Sequence, residues 1–184
     1  MLTGKEAYTF VAAFEDVESS VLYQEKFTEN LAPEGTEIDF LRGDDHGLFW
    51  NAFNATYPHI HQGNEGMVLK FGLKNMDVLK LVLASEKAAV NSGVEILAHG
   101  GLGHGIGQFI VNGESQKVRV AAAELRKEAV SLGGYAVVKQ AAYKERLQFN
   151  PWGETPVYQF LLQGIKEKID PNHVLNHKRF VGGI

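Results

Sequence analysis

Between Ser115 and Leu132 the chain places apolar side chains at Val118, Ala122, Leu125, Ala129 and Leu132, four and three residues apart in a charged background. At 3.6 residues per turn these positions form one stripe, so the spacing predicts a helix with a single face to bury. Ser115 stands as its N-cap, and Gly133-Gly134, tolerant of left-handed backbone, stops it. The surface that could cover the stripe lies on either side in sequence. Val94 to His99 (VEILAH) and Tyr135 to Ala142 both read as strands, and Gln108 to Val111 as the hairpin partner of the first.

The same alternation runs through the rest of the chain. Ala7 to Phe14 and Thr36 to Leu41 read as strands, with a surface helix over Val17 to Leu31 stopped by Pro33. Leu48 to Tyr57 is a short aromatic helix ended by Pro58, and His59 to Glu65 is polar and loop-like. Gly66 to Leu73 (GMVLKFGL) is a strand, and Met76 to Val90 an apolar helix closed by Asn91-Ser92-Gly93. A last helix, capped at Thr155-Pro156, ends at Asp170-Pro171 because the residue before proline is pushed out of the α region. The order predicts an α+β chain: a ferredoxin-like sandwich, an antiparallel sheet with helices on one face, built as one domain over residues 1–184.

Composition narrows the chemistry. With 184 residues, 45% apolar and 22% charged, the chain has the balance of an ordinary globular protein. There is no cysteine, which excludes thiolate nucleophiles, disulfides and iron–sulfur ligation within it. The net charge of -4 with no basic run argues against nucleic acid, whose backbone demands clustered Lys and Arg. No apolar run approaches the ~20 residues of a membrane span, so a cytoplasmic setting is expected, peripheral to a membrane only through a partner.

The densest glycine cluster, His99 to Gly107, admits three readings. A phosphate loop would have to open directly into a helix, and Gln108-Phe109-Ile110-Val111 reads as a strand. A metal site would need a third ligand beside His99 and His104, such as His59 or His61, and no metal is assigned. The third reading is a tight hairpin whose histidines lie on the surface, are hydrogen-bonded, or face a bound organic ligand.

The carboxy-terminal third carries a resemblance. Trp152-Gly153, Ile165-Lys166, Asp170-Pro171, Val174-Leu175-Asn176, Arg179 and Phe180-Val181-Gly182-Gly183 occur in this order, preceded by Leu132-Gly133-Gly134-Tyr135. This ending is similar to that of the FAD-linked oxidases of the glycolate oxidase and D-lactate dehydrogenase kind. It departs at His177-Lys178, where that family has Pro-Gly. The turn resembles the family's His-x-Gly-Asp-Gly-Asn-x-His pattern at His99, Gly101 and Gly103, with Leu102, His104 and Ile106 replacing the Asp, Asn and second His. The match runs from about Val94 to the end.

The resemblance implies a C-terminal cap, or substrate, domain, with the FAD-binding domain absent from this chain and supplied by a separate domain or subunit. FAD would be held mainly there, a small 2-hydroxy acid would sit between the two, and an iron–sulfur electron-transfer subunit is a possible further partner. It also implies roles. Arg179, with Lys178 as second choice, would take the substrate carboxylate, since guanidinium matches carboxylate bidentately. Asn176 would meet the flavin edge, and His99 or His104 would act as general base. The alternative is a stand-alone ferredoxin-like module that binds a small ligand or assembles oligomers.

Overall fold

A computed structural model describes residues 8–56 and 66–184. The chain divides into two compact units, residues 1–57 and 58–184. The first holds two helices, α1 (Glu18–Leu31) and α2 (Asp44–Thr56). None of its described residues is buried. The strands expected at 7–14 and 36–41 are not formed: residues 8–14 and 36–41 have no regular structure. Their alternating pattern is real, but a strand exists only as part of a hydrogen-bonded ladder, and neither segment joins the sheet. Within α2, Trp50 stacks edge-on between Phe49 and Phe53, and its Nε1 donates to His46 Nε2 at 3.0 Å.

The second unit carries the sheet. Its strands are β1 (Gly66–Gly72), β2 (Glu95–Gly101), β3 (Ile106–Asn112) and β4 (Tyr135–Ala141), and they lie in the order β2-β3-β1-β4 with every pairing antiparallel. Helix α3 (Val78–Ser92) connects β1 to β2, and α4 (Ser115–Ser131) connects β3 to β4. This is an α+β fold whose sheet, among the described residues, comes from residues 66–141. The stripe of α4 does what its spacing demands. Val118, Ala122, Leu125 and Ala129 join Val78, Leu81 and Ala88 of α3 over Met67, Leu69 and Phe71 of β1 and Phe109 and Val111 of β3. Both helices therefore cover one face of the sheet, the face of the odd-numbered β1 residues.

The ends of the helices differ in detail from the reading above. The cap of α4 falls on Glu114 and makes no side-chain bond, so Ser115 is already helical. Gly133 takes the left-handed φ of 77° that the stop requires. Residues Tyr143–Gln148 form a short helix, α5, unanticipated in the sequence. Pro156 lies in a turn that accepts from the Gln159 amide, and the last helix, α6, runs Gln159–Ile169.

Arg126 fastens the segment after α5 to the sheet unit. Its Nε donates to Ala136 O at 2.9 Å, Nη1 to Asn150 O at 2.8 Å and Nη2 to Pro151 O at 3.2 Å. The guanidinium also lies 4.4 Å from the Phe149 ring centroid. Half-burial pulls its pKa below the ordinary value, and the three carbonyls provide the polar surroundings that water would otherwise give. Pro151 O in turn accepts from the Val138 amide at 2.7 Å, so residue 151 covers part of the outer side of β4.

Candidate functional site

The face of the sheet away from α3 and α4 is laid out in rows by the strand register. One row reads His99, Gln108, Lys70 and Val137 across the four strands; the next reads Gly101, Ile106, Gly72 and Tyr135. On the other side of the first row stand Leu97, Ile110, Val68 and Gln140, and beyond them Glu95, Asn112 and Gly66. The pairing of β1 with β4 is broken by a bulge between Val68 and Leu69, where β4 carries one extra residue. Bulges re-aim side chains. Here Lys139 reaches over β1 and its Nζ donates to Gln108 Oε1 at 3.0 Å.

The first row is thus cationic. Lys70 and Lys139 are exposed, His99 and Gln108 half-buried, and the acid of this face, Glu95, sits two rows away, accepting from Asn112 Nδ2 at 3.2 Å. Among the described residues, Lys70 has no hydrogen-bond or ion-pair partner. Burial, and then the charge of Lys139, hold His99 below the ordinary imidazole value of 6.5. At neutral pH His99 is a neutral imidazole within reach of the Lys139 charge, with Lys70 farther along the same row. Such a row can take an anion and place a base beside it.

The glycine turn is a close-packing device. Gly100 and Gly107 pair across β2 and β3 on the helix-covered face, and a Cβ at Gly107 would lie 2.3 Å from Phe71 Cζ. Gly105 lets the turn approach Leu73, whose amide donates to Gly105 O at 2.9 Å. Gly101 leaves room on the cationic face for the His104 ring, whose Nε2 sits 2.2 Å from where a Cβ would be. His104 therefore folds back toward His99, two residues along the same strand face. Its Nδ1 accepts from the Ile106 amide at 3.3 Å, which ties this histidine into the turn. His59 and His61 lie outside the described residues, and no group of three metal-ligating side chains gathers among the described ones.

The tail forms a second feature. Asp170 ends α6 and its carboxylate gathers three donors: Lys166 Nζ at 2.6 Å, the Val174 amide at 2.9 Å and the Leu175 amide at 2.9 Å. The Lys166 hydrogen bond, helped by the two amides, lowers its pKa to about 2. Lys166 also donates to Leu175 O. Trp152 Nε1 donates to Arg179 O at 3.0 Å, and its ring meets Phe180 edge-on at 5.3 Å. The result is an open cavity of about 380 Å³ lined by Trp152, Lys166, Leu175, Asn176, Arg179, Phe180 and Ile184.

Asn176 and Arg179 are brought together there. Asn176 takes a left-handed φ of 48° and its carbonyl accepts from the Arg179 amide, so it makes the turn as well as lining the cavity. Lys178 is exposed and is not among the lining residues. None of the sheet-face residues lines this cavity, so the expected group of His99, His104, Asn176 and Arg179 is distributed between two places. Lys70, Gln108 and Lys139 escaped the sequence reading. Lys70 could have been found, as the one charge in the apolar run GMVLKFGL; Lys139 could not, because its aim depends on the bulge. Compared with models of known families and with curated proteins, the chain matches none.

Proposed function

We propose that the chain acts as the cap domain of an FAD-dependent oxidoreductase for a small 2-hydroxy acid. In this reading the cationic sheet face lies over the flavin ring. The observation that carries it is the row of Lys70, Lys139, Gln108 and His99, which joins two cations for a carboxylate to a neutral imidazole for a hydroxyl proton. The donor set fits the substrate better than it fits a grip on the cofactor. The one glycine-rich turn runs into β3 and not into a helix N-terminus, so nothing there suits a pyrophosphate. FAD, bound mainly by a separate domain, would supply the acceptor for two electrons.

The β-α-β-β-α-β order of residues 66–141 supports a ferredoxin-like cap. So does the surface of α6, which buries no residue and exposes Phe160, Leu161, Ile165 and Ile169, as a helix covered by another domain would. No described helix is long and apolar enough to cross a membrane. A cytoplasmic location, with membrane contact only through a partner such as an iron–sulfur subunit, completes the proposal. Arg179 and Asn176 would then serve the cavity at the tail, against the partner domain.

The test is reconstitution with an FAD-binding domain. The chain alone is expected to purify colourless, and the assembled protein to have its flavin reduced by glycolate or lactate. Lys139→Ala should raise KM for the acid with little change in kcat, since it removes ground-state anion binding. Failure of both acids to reduce the flavin removes the assignment. The second reading, a stand-alone carboxylate-binding module, draws on the row being complete within one chain; titration of the isolated chain with lactate separates the two.

A further inference from the structure

The two edges of the sheet are treated differently. On the β4 side, a bulge interrupts the ladder, Lys139 interrupts the strand, and Pro151 O takes the Val138 amide. These are the devices that keep an edge from recruiting another strand. On the β2 side none of them is present. Glu95–Gly101 pairs with β3 in unbroken register over seven residues, contains no Lys or Pro, and has no strand on its outer side among the described residues. Glu95, Ala98 and Gly100 are exposed along it.

We infer that this edge is a self-association surface, where two copies join their β2 strands antiparallel about a twofold axis. The four strands of each copy then continue into one sheet. The occupant is argued from the strand's own pattern. Side chains alternate faces, so an antiparallel joining that keeps the two like faces together must pair residues of equal parity. Centred on Leu97, the pairing sets Leu97 against its copy, Ile96 against Ala98, and Glu95 against His99 of the second molecule. A shift of two residues toward the hairpin leaves Glu95 opposite Gly101, and a shift the other way sets it against Leu97. Only the Leu97-centred register matches the strand's single acid to its histidine and keeps apolar residues opposite one another. Cross-strand pairs of that kind stabilise a joined ladder. Helix α3, which packs over β2, adds exposed Leu79, Leu83 and Val90.

Sedimentation equilibrium of the full chain over a wide concentration range tests this. A reversible dimer is expected. Ala98→Lys, a change at an exposed site, should weaken it about tenfold or more by opposing a lysine to Ile96. Glu95→Lys should weaken it by removing the carboxylate that accepts from the His99 imidazole, and adding His99→Glu to that variant should restore it through an opposite-charge pair. Circular dichroism checks that each variant is folded; if Ala98→Lys is not, the Glu95 and His99 pair carries the test. A chain that stays monomeric at every concentration overturns the inference, and so does a dimer indifferent to these substitutions.

Discussion

Arg126→Met is the most informative single change in the sheet unit. The substitution keeps an aliphatic stem of similar length and deletes the donors to Ala136, Asn150 and Pro151 carbonyls. A hydrogen bond from a charged group is worth about 1.5–3 kcal/mol at a buried site, and a half-exposed guanidinium keeps only part of that, so ~0.5–1 kcal/mol each is appropriate. Three such bonds with a contact on Phe149 of ~0.5–1 kcal/mol give a loss of about 2–4 kcal/mol. For a unit of this size that corresponds to a fall in Tm of roughly 10 °C. Urea denaturation followed by circular dichroism measures the loss, and amide exchange locates it. Protection at Val138, whose amide is held by Pro151 O, should fall first. Arg126→Lys keeps the cation on Phe149 but matches at most one carbonyl well, so it should recover only part of the loss. An unchanged midpoint for Arg126→Met, or a lysine variant equal to the parent, would refute the idea that this fork fastens the segment.

Gly107→Ala should be strongly destabilising, by about 1–3 kcal/mol or more, because the added methyl meets the Phe71 ring and the His99 carbonyl; pairing it with Phe71→Leu should recover part of the loss in the same melt. His99 has a folded pKa below 6.5, so its contribution is fully present above that pH and is lost as the pH falls through the lower folded value; a pH series of melts should show this decline, and His99→Asn should reduce it. Asp170 is the opposite titrating type with the same sign. Its stabilisation of the tail is present above about 3.8, the ordinary carboxyl value, and is lost as the pH drops through about 2; amide exchange at Val174 and Leu175 between those limits is the readout, and Asp170→Asn should show fast exchange at neutral pH.

How much of this was legible in the chain can be seen residue by residue. The stripe of α4, the glycine stop at Gly133, the strands at 66–72, 95–101 and 135–141 and the hairpin at the glycine turn all follow from local periodicity and turn chemistry. Periodicity says which side of a segment must be buried, and residues such as Val118 and Leu125 carry that message without any neighbour. It does not say who the neighbour is. Tyr8 and Phe10 sit in a segment patterned like a strand and are exposed and outside any strand, because strand formation is decided by a partner elsewhere.

The same limit divides the site. Its histidines, Asn176 and Arg179 stand out as residue types with chemistry. That Asn176 and Arg179 share a cavity while His99 joins Lys70, Gln108 and Lys139 on a sheet face depends on register, on a one-residue bulge and on the order β2-β3-β1-β4. The sequence by itself determined the elements of residues 66–141 and the faces they bury. Tertiary structure alone decided which side chains meet, because strand register and pairing are long-range choices that one misplaced residue would reverse.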